Sequence, residues 1–314
     1  MRVQIRGVRV SIKERLPLAL YTHCSSHSLN LCLSDASNIP SIRNCMVVIK
    51  EVCRFFHMLA KRTEILKSMI SDCCPEQKKK KLISLCETRW VERHDSVFLF
   101  KDILEPILLS LLKIEEESSE LAPKALSSSI SQFQFFVNLF VLSQMLSTTH
   151  NLSEKLQKKH IDLSQAIANA TSVLDLLSKQ RVNANDNFKI LYAQVKEITA
   201  KLDIKEEIPR VCRLQTARND VPSSTEEEYC RRAVYVPYLD DFCNSLKERF
   251  ASYKEIVASL QHILPEFCTK TYFYSLEAAF NFYEEDLSHK EVVQSEFMLW
   301  KEKWSQEKSS ENSH

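Results

Sequence analysis

Four groups of residues carry side chains able to do chemistry. Cys24 and His27, in HCSSHSLNLCLSDAS, have the spacing of half a zinc site, and Cys53 and His57, four apart on one helix face, offer the other half. Arg89-Trp90, in LCETRWVERHDSV, pairs a guanidinium suited to phosphate with an indole on which a base can stack. Lys78, Lys79, Lys80 and Lys81 form a cationic run, a composition shared by solvated linkers and nuclear-import patches. Each group also has a plainer reading. A Cys followed four later by His on an apolar helix commonly packs in a core, Cys24 and His27 can fill a strand-to-helix corner, and a Trp after a polar connection can anchor a helix start. Stacking contributes about 1–3 kcal/mol per base, so a single Trp matters only within a basic surround. Asp240-Asp241 and Glu284-Glu285-Asp286 are adjacent in sequence, hence on different helix faces, and read as helix-start charge rather than metal ligands.

The composition limits what can position these groups. Gly7 is the one glycine in 314 residues, where average usage of about 7% would give roughly twenty. Glycine lets backbone approach phosphates closely and supplies positive φ in tight hairpins. Gly-rich phosphate loops, Walker folds and dinucleotide folds are therefore excluded, and the chain is mostly helix. Eleven cysteines, an odd number without small-domain spacing, read as reduced thiols. The apolar stretch FFVNLFVLSQML at 135–146 is too short to span a bilayer. Net charge is +1, but residues 1–101 hold 18 Lys+Arg against 9 Asp+Glu, and the remainder holds 24 against 32. A basic first third can face nucleic acid, while the acidic part reads as a solvated helical scaffold.

The elements follow from periodicity. PLALYTH (17–23) reads as one buried strand, followed from Ser25 or Ser26 by a helix with Leu29, Cys32, Leu33 and Ala36 on one face. From Pro40 a seam of Ile42, Cys45, Ile49, Val52, Phe56, Leu59, Thr63, Leu66 and Ile70 predicts a single helix of about 30 residues. CCPEQKKKK is a polar connection, and Thr88 is placed to cap a helix through Ile114 in which Pro106 is a candidate kink. Residues 115–129 read as a loop, further helices cover 130–148, 152–178, 187–203 and 237–264, and 205–232 as a mobile loop. Shorter pieces follow near 271–285 and 289–305. Trp300 and Trp304 form an apolar patch on the last of these, a candidate docking face.

The Cys-x-x-His, Leu-Asn-Leu and Arg-Trp elements, in that order, resemble hAT-superfamily transposases, in particular the domesticated group with THAP or MYM-type zinc fingers. SEFMLWKEKW is similar to the segment leading into that family's final catalytic and dimerisation region. The resemblance implies an RNase H-like core split by a large all-helical insertion. It also implies three carboxylates on two divalent metals, two upstream of the Cys-x-x-His element and one after the point where this chain stops. Cys24, His27, Arg89 and Trp90 would contact or orient DNA. Upstream of Cys24 the only acid is Glu14, and SQEKSSENSH stands where the family has an Ala-Glu-Arg-x-Phe region.

The expectation is a mainly α chain: an incomplete RNase H-like core with one or few strands at 1–40, a helical insertion at 41–290, and a C-terminal helix with polar tail at 291–314. The expected function is a catalytically inactive, nuclear DNA- and/or protein-binding module, with a homodimer or protein partner conceivable through a C-terminal region. No cofactor, metal, membrane or small-molecule substrate is implied. The alternatives are part of an active divalent-metal transposase, and a helical scaffold, nuclear or cytoplasmic, that ignores DNA.

Overall fold

A computed structural model describes residues 8–21, 23–86, 90–117, 121–158, 162–207, 225–251 and 254–311. Its organisation follows from one sequence, FQFFVNLFVLSQML, which is apolar on every side rather than along one stripe. Such a helix is stable in water only when surrounded. In α8 (Phe133–Leu156, eighth in chain order) Phe133, Phe135, Phe136, Leu139, Phe140, Leu142, Met145 and Leu146 are all buried. The seven helices before it are α1 (Val8–Arg15), α2 (Ser25–Ala36), α3 (Pro40–Met58), α4 (Ala60–Cys73), α5 (Trp90–Asp102), α6 (Leu104–Glu117) and α7 (Leu121–Ile130). After it come α9 (Leu163–Val182), α10 (Ala184–Lys201), α11 (Glu226–Cys230), α12 (Val236–Leu246), α13 (Lys254–Gln261), α14 (Pro265–Cys268), α15 (Glu277–Phe282) and α16 (Lys290–Glu311). π-helical turns at Arg231–Tyr235 and Lys247–Ala251 flank α12. Helices α2, α3, α5, α7, α9 and α10 all touch α8.

Several polar residues of α8 find partners in the wall they face, while Gln144 Oε1 and Ser153 Oγ are buried without a hydrogen bond among the described residues. Gln134 Nε2 donates to Asn138 Oδ1 (3.0 Å) and Asn138 Nδ2 to the Ser41 carbonyl (3.3 Å). The Thr149 hydroxyl lies 3.2 Å from Nε2 of the buried His94 on α5. Unpaired, such groups would cost about 1–3 kcal/mol each. Opposite, α12 packs on α2 and α9: Ser37 Oγ meets Tyr238 Oη at 3.0 Å, Arg181 grips Asp240 through two hydrogen bonds, and Arg249 Nη2 donates to Asp35 at 2.8 Å.

Several boundaries differ from the sequence expectation. No strand forms among the described residues, so an RNase H-like core is not seen there. Residues 17–21 are irregular, with Pro17 and Tyr21 exposed and Leu18, Ala19 and Leu20 half-buried, after α1, itself exposed along Val8, Val10 and Ile12. The physical reason is that an extended segment without a neighbouring strand has no ladder to join. The single helix expected from Pro40 to Ile70 breaks at Leu59, whose φ of −133° and ψ of 129° are extended. Thr63 Oγ1 and Arg62 Nη1 then donate to the freed carbonyls of Phe56 and Phe55, at 2.8 and 3.3 Å. Pro106 breaks its helix one turn upstream rather than at itself, because it has no N–H to offer the Asp102 carbonyl, and α5 ends there. The expected loop at 115–129 is helical over Leu121–Ile130, with Pro123 in its first turn, where no helical N–H is needed.

One core runs from Leu29 on α2 to Phe250 after α12, and a second, small one joins Cys268, Leu276 and Phe297. The cysteines among the described residues are free thiols. Among the described residues no single helix is long and apolar enough to cross a membrane; α7 and α8 would pass only as a pair, and that pair is bent by 67°.

Two predictions follow from the packing. Phe136→Ala lowers unfolding stability by about 3–5 kcal/mol in urea titrations, while Leu299→Ala, at a site 72% exposed, changes it by under about 0.5 kcal/mol. Burial pushes the Cys32 thiol up to about 11 and Cys53 up to about 12, and raises Cys45 as well. Folded thiols thus hold their protons more tightly than unfolded ones at about 8.5. Stability is fully present below that pH and is lost as pH rises through the folded values. Urea midpoints in reductant hold between pH 7 and 8 and fall steadily toward pH 11, less steeply in Cys45→Ala.

Candidate nucleic-acid interface

The basic third folds around an irregular strap, residues 74–86, that runs from the end of α4 to the start of α5. Its exposed half carries Lys78, Lys79, Lys80 and Lys81. Lys80 Nζ donates to Ser71 Oγ at 2.8 Å, and Lys79 Nζ stands 3.7 Å from Asp95. Its inner half is stitched down. Leu82 is buried, His57 Nε2 donates to the Leu82 carbonyl (3.0 Å) and Cys53 Sγ points at the Ile83 carbonyl (3.6 Å). Because a carbonyl can only accept, Nε2 carries a proton, and the Ser84 hydroxyl pairs with Nδ1 at 3.1 Å. From the other side Ser96 Oγ donates to the Ser84 carbonyl and Arg93 Nε to that of Cys86.

Cys53 and His57 therefore hold the strap. Cys24 and His27 lie elsewhere and face solvent: Cys24 precedes α2 as its N-cap without a side-chain hydrogen bond, and the His27 ring stands 5.5 Å from that of His23. The two halves do not converge, and no group of three or more His, Cys, Asp or Glu among the described residues is placed to hold a metal ion. Nor do Cys24 and His27 fill a strand-to-helix corner, since both are exposed and no strand precedes them among the described residues. Arg89 lies outside the described residues, and Trp90 is described only as the first backbone position of α5.

Charge reading of the sequence passed over α3. Arg43 and Lys50, two turns apart, share its outer face with Met46 and Val47 and line a cleft of about 330 Å³ with Arg93. Ser34, Ser37 and Asn38 at the end of α2, and Leu85 and Cys86 of the strap, complete the wall. The signal was present as i, i+3, i+4, i+7 spacing opposite the buried seam, but only the packing of α5 and the strap brings Arg93 to the same place. Farther away, Trp300 and Trp304 turn inward instead of forming a docking face. They pack on the small C-terminal core, with Trp300 Nε1 donating to the Ile263 carbonyl at 2.8 Å, while Val292, Met298 and Leu299 of the same helix are exposed.

Over 311 residues, 96% of the chain, it is 26% identical to the Homo sapiens protein named 52 kDa repressor of the inhibitor of the protein kinase. The Mus musculus protein of the same name is 26% identical over 312 residues. The chain is a distant relative of these repressors. It spans 41% of the length of each. No protein-family model matches the chain, and no solved structure matches it.

The strap geometry yields a direct test. His57→Ala removes both stitches at once and lowers stability by about 1–2 kcal/mol. Amide exchange accelerates across residues 82–86, whereas a zinc chelator leaves wild-type exchange there unchanged.

Proposed function

We propose that this chain is a transposase-derived binding module, nuclear and without strand-cleaving activity, which contacts nucleic acid through its basic first third. The observation that carries the reading is the segregation of charge. The 18 Lys+Arg of residues 1–101, against 9 Asp+Glu, include the exposed lysines of the strap and the Arg43 and Lys50 of α3 that line a cleft with Arg93. Phosphodiesters meet such a surface by releasing counterions, which makes binding steep in salt. The distant relation to the repressors and the hAT-like order of Cys24, His27, Arg89 and Trp90 support the same reading. In it Arg89 takes a phosphate, Trp90 stacks on a base, and Lys78–Lys81 serve both attraction to the polymer and nuclear import.

A second reading, a helical protein-interaction scaffold, is favoured by one observation: α16 leaves Val292, Met298 and Leu299 exposed. Salt separates the two. With fluorescently labelled single-stranded and duplex oligonucleotides, wild-type affinity falls log-linearly with salt. Neutralising Lys78 to Lys81 makes that slope shallower by as much as about 3, and Arg89→Ala weakens binding at every salt concentration. Absence of DNA binding, or salt-independent binding, hands the case to the scaffold. Incubation with Mg²⁺ or Mn²⁺ leaves the oligonucleotide intact; a cleaved product would restore the transposase alternative.

A further inference from the structure

We propose that the cleft between α5, α8 and α10 is a binding site for a small organic monocarboxylate with an apolar body, its carboxylate taken by Lys101 and Ser143. The proposal goes beyond the nucleic-acid reading and does not rest on it. The cleft holds about 560 Å³, within the range of roughly 300–1,000 Å³ for small-ligand sites. Helices α5 and α10 both pack on α8, and a polar strip of α8 that includes Ser143 and Ser147 forms the floor between them.

Two groups in this cleft lack partners. Lys101 is half-buried with its Nζ 4.3 Å from the centroid of the Phe140 ring, and it makes no hydrogen bond or ion pair among the described residues. Burial lowers the Lys101 ammonium from its ordinary value, as expected of a cation that has lost water and gained no anion in exchange. Ser143 lines the same cleft at 6% exposure, and its hydroxyl is bonded to no group among the described residues. It follows Phe140 by three residues on one face of α8, so the hydroxyl lies next to the ring that carries the ammonium. The acids on adjacent turns are engaged elsewhere: Asp95 stands 3.7 Å from Lys79, Glu197 pairs with Lys201 at 2.9 Å, and Glu105 lies toward Cys73 and Cys74. Asp102 lines the cleft, exposed, and forms no ion pair with Lys101.

That balance of charge selects among ligands. A neutral body laid over Lys101 would strip its remaining water without offering an acceptor, which is costly. A phosphate monoester carries about 1.5–2 negative charges at pH 7, and the second is repelled by Asp102. A carboxylate carries one, and its two oxygens accept from the ammonium and the hydroxyl together. The remaining lining describes the body of the ligand. Phe98 on the α5 wall faces a cleft whose α10 wall supplies Leu191 and Ile190, the latter 62% exposed, and covering them removes apolar area from water. With a single cation rather than a row of them, the cleft suits one small anion and not a polymer.

The test uses the full chain and calorimetric titration with 2-naphthoate, its neutral analogue 2-naphthamide, and 2-naphthyl phosphate. Wild-type protein is expected to bind naphthoate, and naphthamide about fivefold or more weakly. Lys101→Met keeps an unbranched chain on Phe140 and removes the charge; it weakens naphthoate by about tenfold or more, the worth of a charge-assisted hydrogen bond. Ser143→Ala weakens it by about threefold. Asp102→Asn strengthens naphthyl phosphate more than naphthoate, because it removes a like charge. Lys113→Met, on α6, leaves naphthoate affinity within about twofold.

Comparing naphthoate with naphthamide needs no variant, so it decides the matter if Lys101→Met fails to fold by circular dichroism. Equal wild-type binding of the two would mean an apolar groove indifferent to charge. Tighter wild-type binding of naphthyl phosphate than of naphthoate would mean the wrong anion, and undiminished binding to folded Lys101→Met the wrong cation. Each of these, like wild-type protein that binds no naphthoate, overturns the assignment and leaves the nucleic-acid reading where it stands.

Discussion

A helix that is apolar on every side must be enclosed, and enclosing α8 determines where almost everything else in this chain lies. Six helices contribute walls around it, so residues far apart in sequence, such as Ser41 and Asn138 or His94 and Thr149, become hydrogen-bonded neighbours. Asn138 and Thr149, the paired positions on α8, help fix which wall goes where, since a rotated or shifted packing would leave that buried amide or hydroxyl unpaired. That penalty is comparable to a sizeable fraction of a domain's net stability. Specificity of arrangement thus comes from a few polar pairs, and the cohesion from the phenylalanines and leucines between them.

The same enclosure explains why the basic surface lies where it does. With α3 and α5 both committed to α8 through their inner faces, their outer faces flank the strap. The strap must be held because it crosses a helix gap with its backbone groups unpaired by regular structure. Cys53, His57, Ser96 and Arg93 supply the missing partners. Two residues that look like metal ligands in sequence thereby become donors to carbonyls. The lysines that look like a free linker become the exposed edge of an anchored segment, with Lys80 tied to Ser71.

The helical class was legible from one glycine and the apolar periodicity, and so was the start of α2 at Ser25 and of α3 at Pro40. The helix breaks were not, because each depends on a partner remote from the pattern. The seam from Ile42 to Ile70 continues in register across Leu59, and only the backward reach of Arg62 and Thr63 makes the break tolerable. Thr63 was the irregular member of that seam, a local clue to its second role. PLALYTH reads as a strand because its residues favour extended backbone, but a strand is a pairing and not a propensity; without a partner among the described residues it stays irregular. The cleft escaped notice for the opposite reason: Arg43 and Lys50 read as ordinary solvated charge until Arg93 arrives from another helix.

Scarcity of glycine also limits how this fold can recognise anything. Tight backbone nests for anions draw on residues with positive φ, and among the described non-glycine residues only Asp203 has one, at 53°. It closes the end of α10, where the Ile204 N–H reaches the Thr199 carbonyl at 2.9 Å. Without such nests, anion recognition as proposed would fall to side chains displayed on helix faces and on the strap between them. Arginine and lysine heads displayed in this way stay near water, so their attraction is screened by salt and reads charge spacing more than base sequence. Under the proposed nucleic-acid reading, a fold organised around an enclosed helix and carrying its cations outside would grip a polyanion along its length and leave sequence choice to whatever else contacts the same strand.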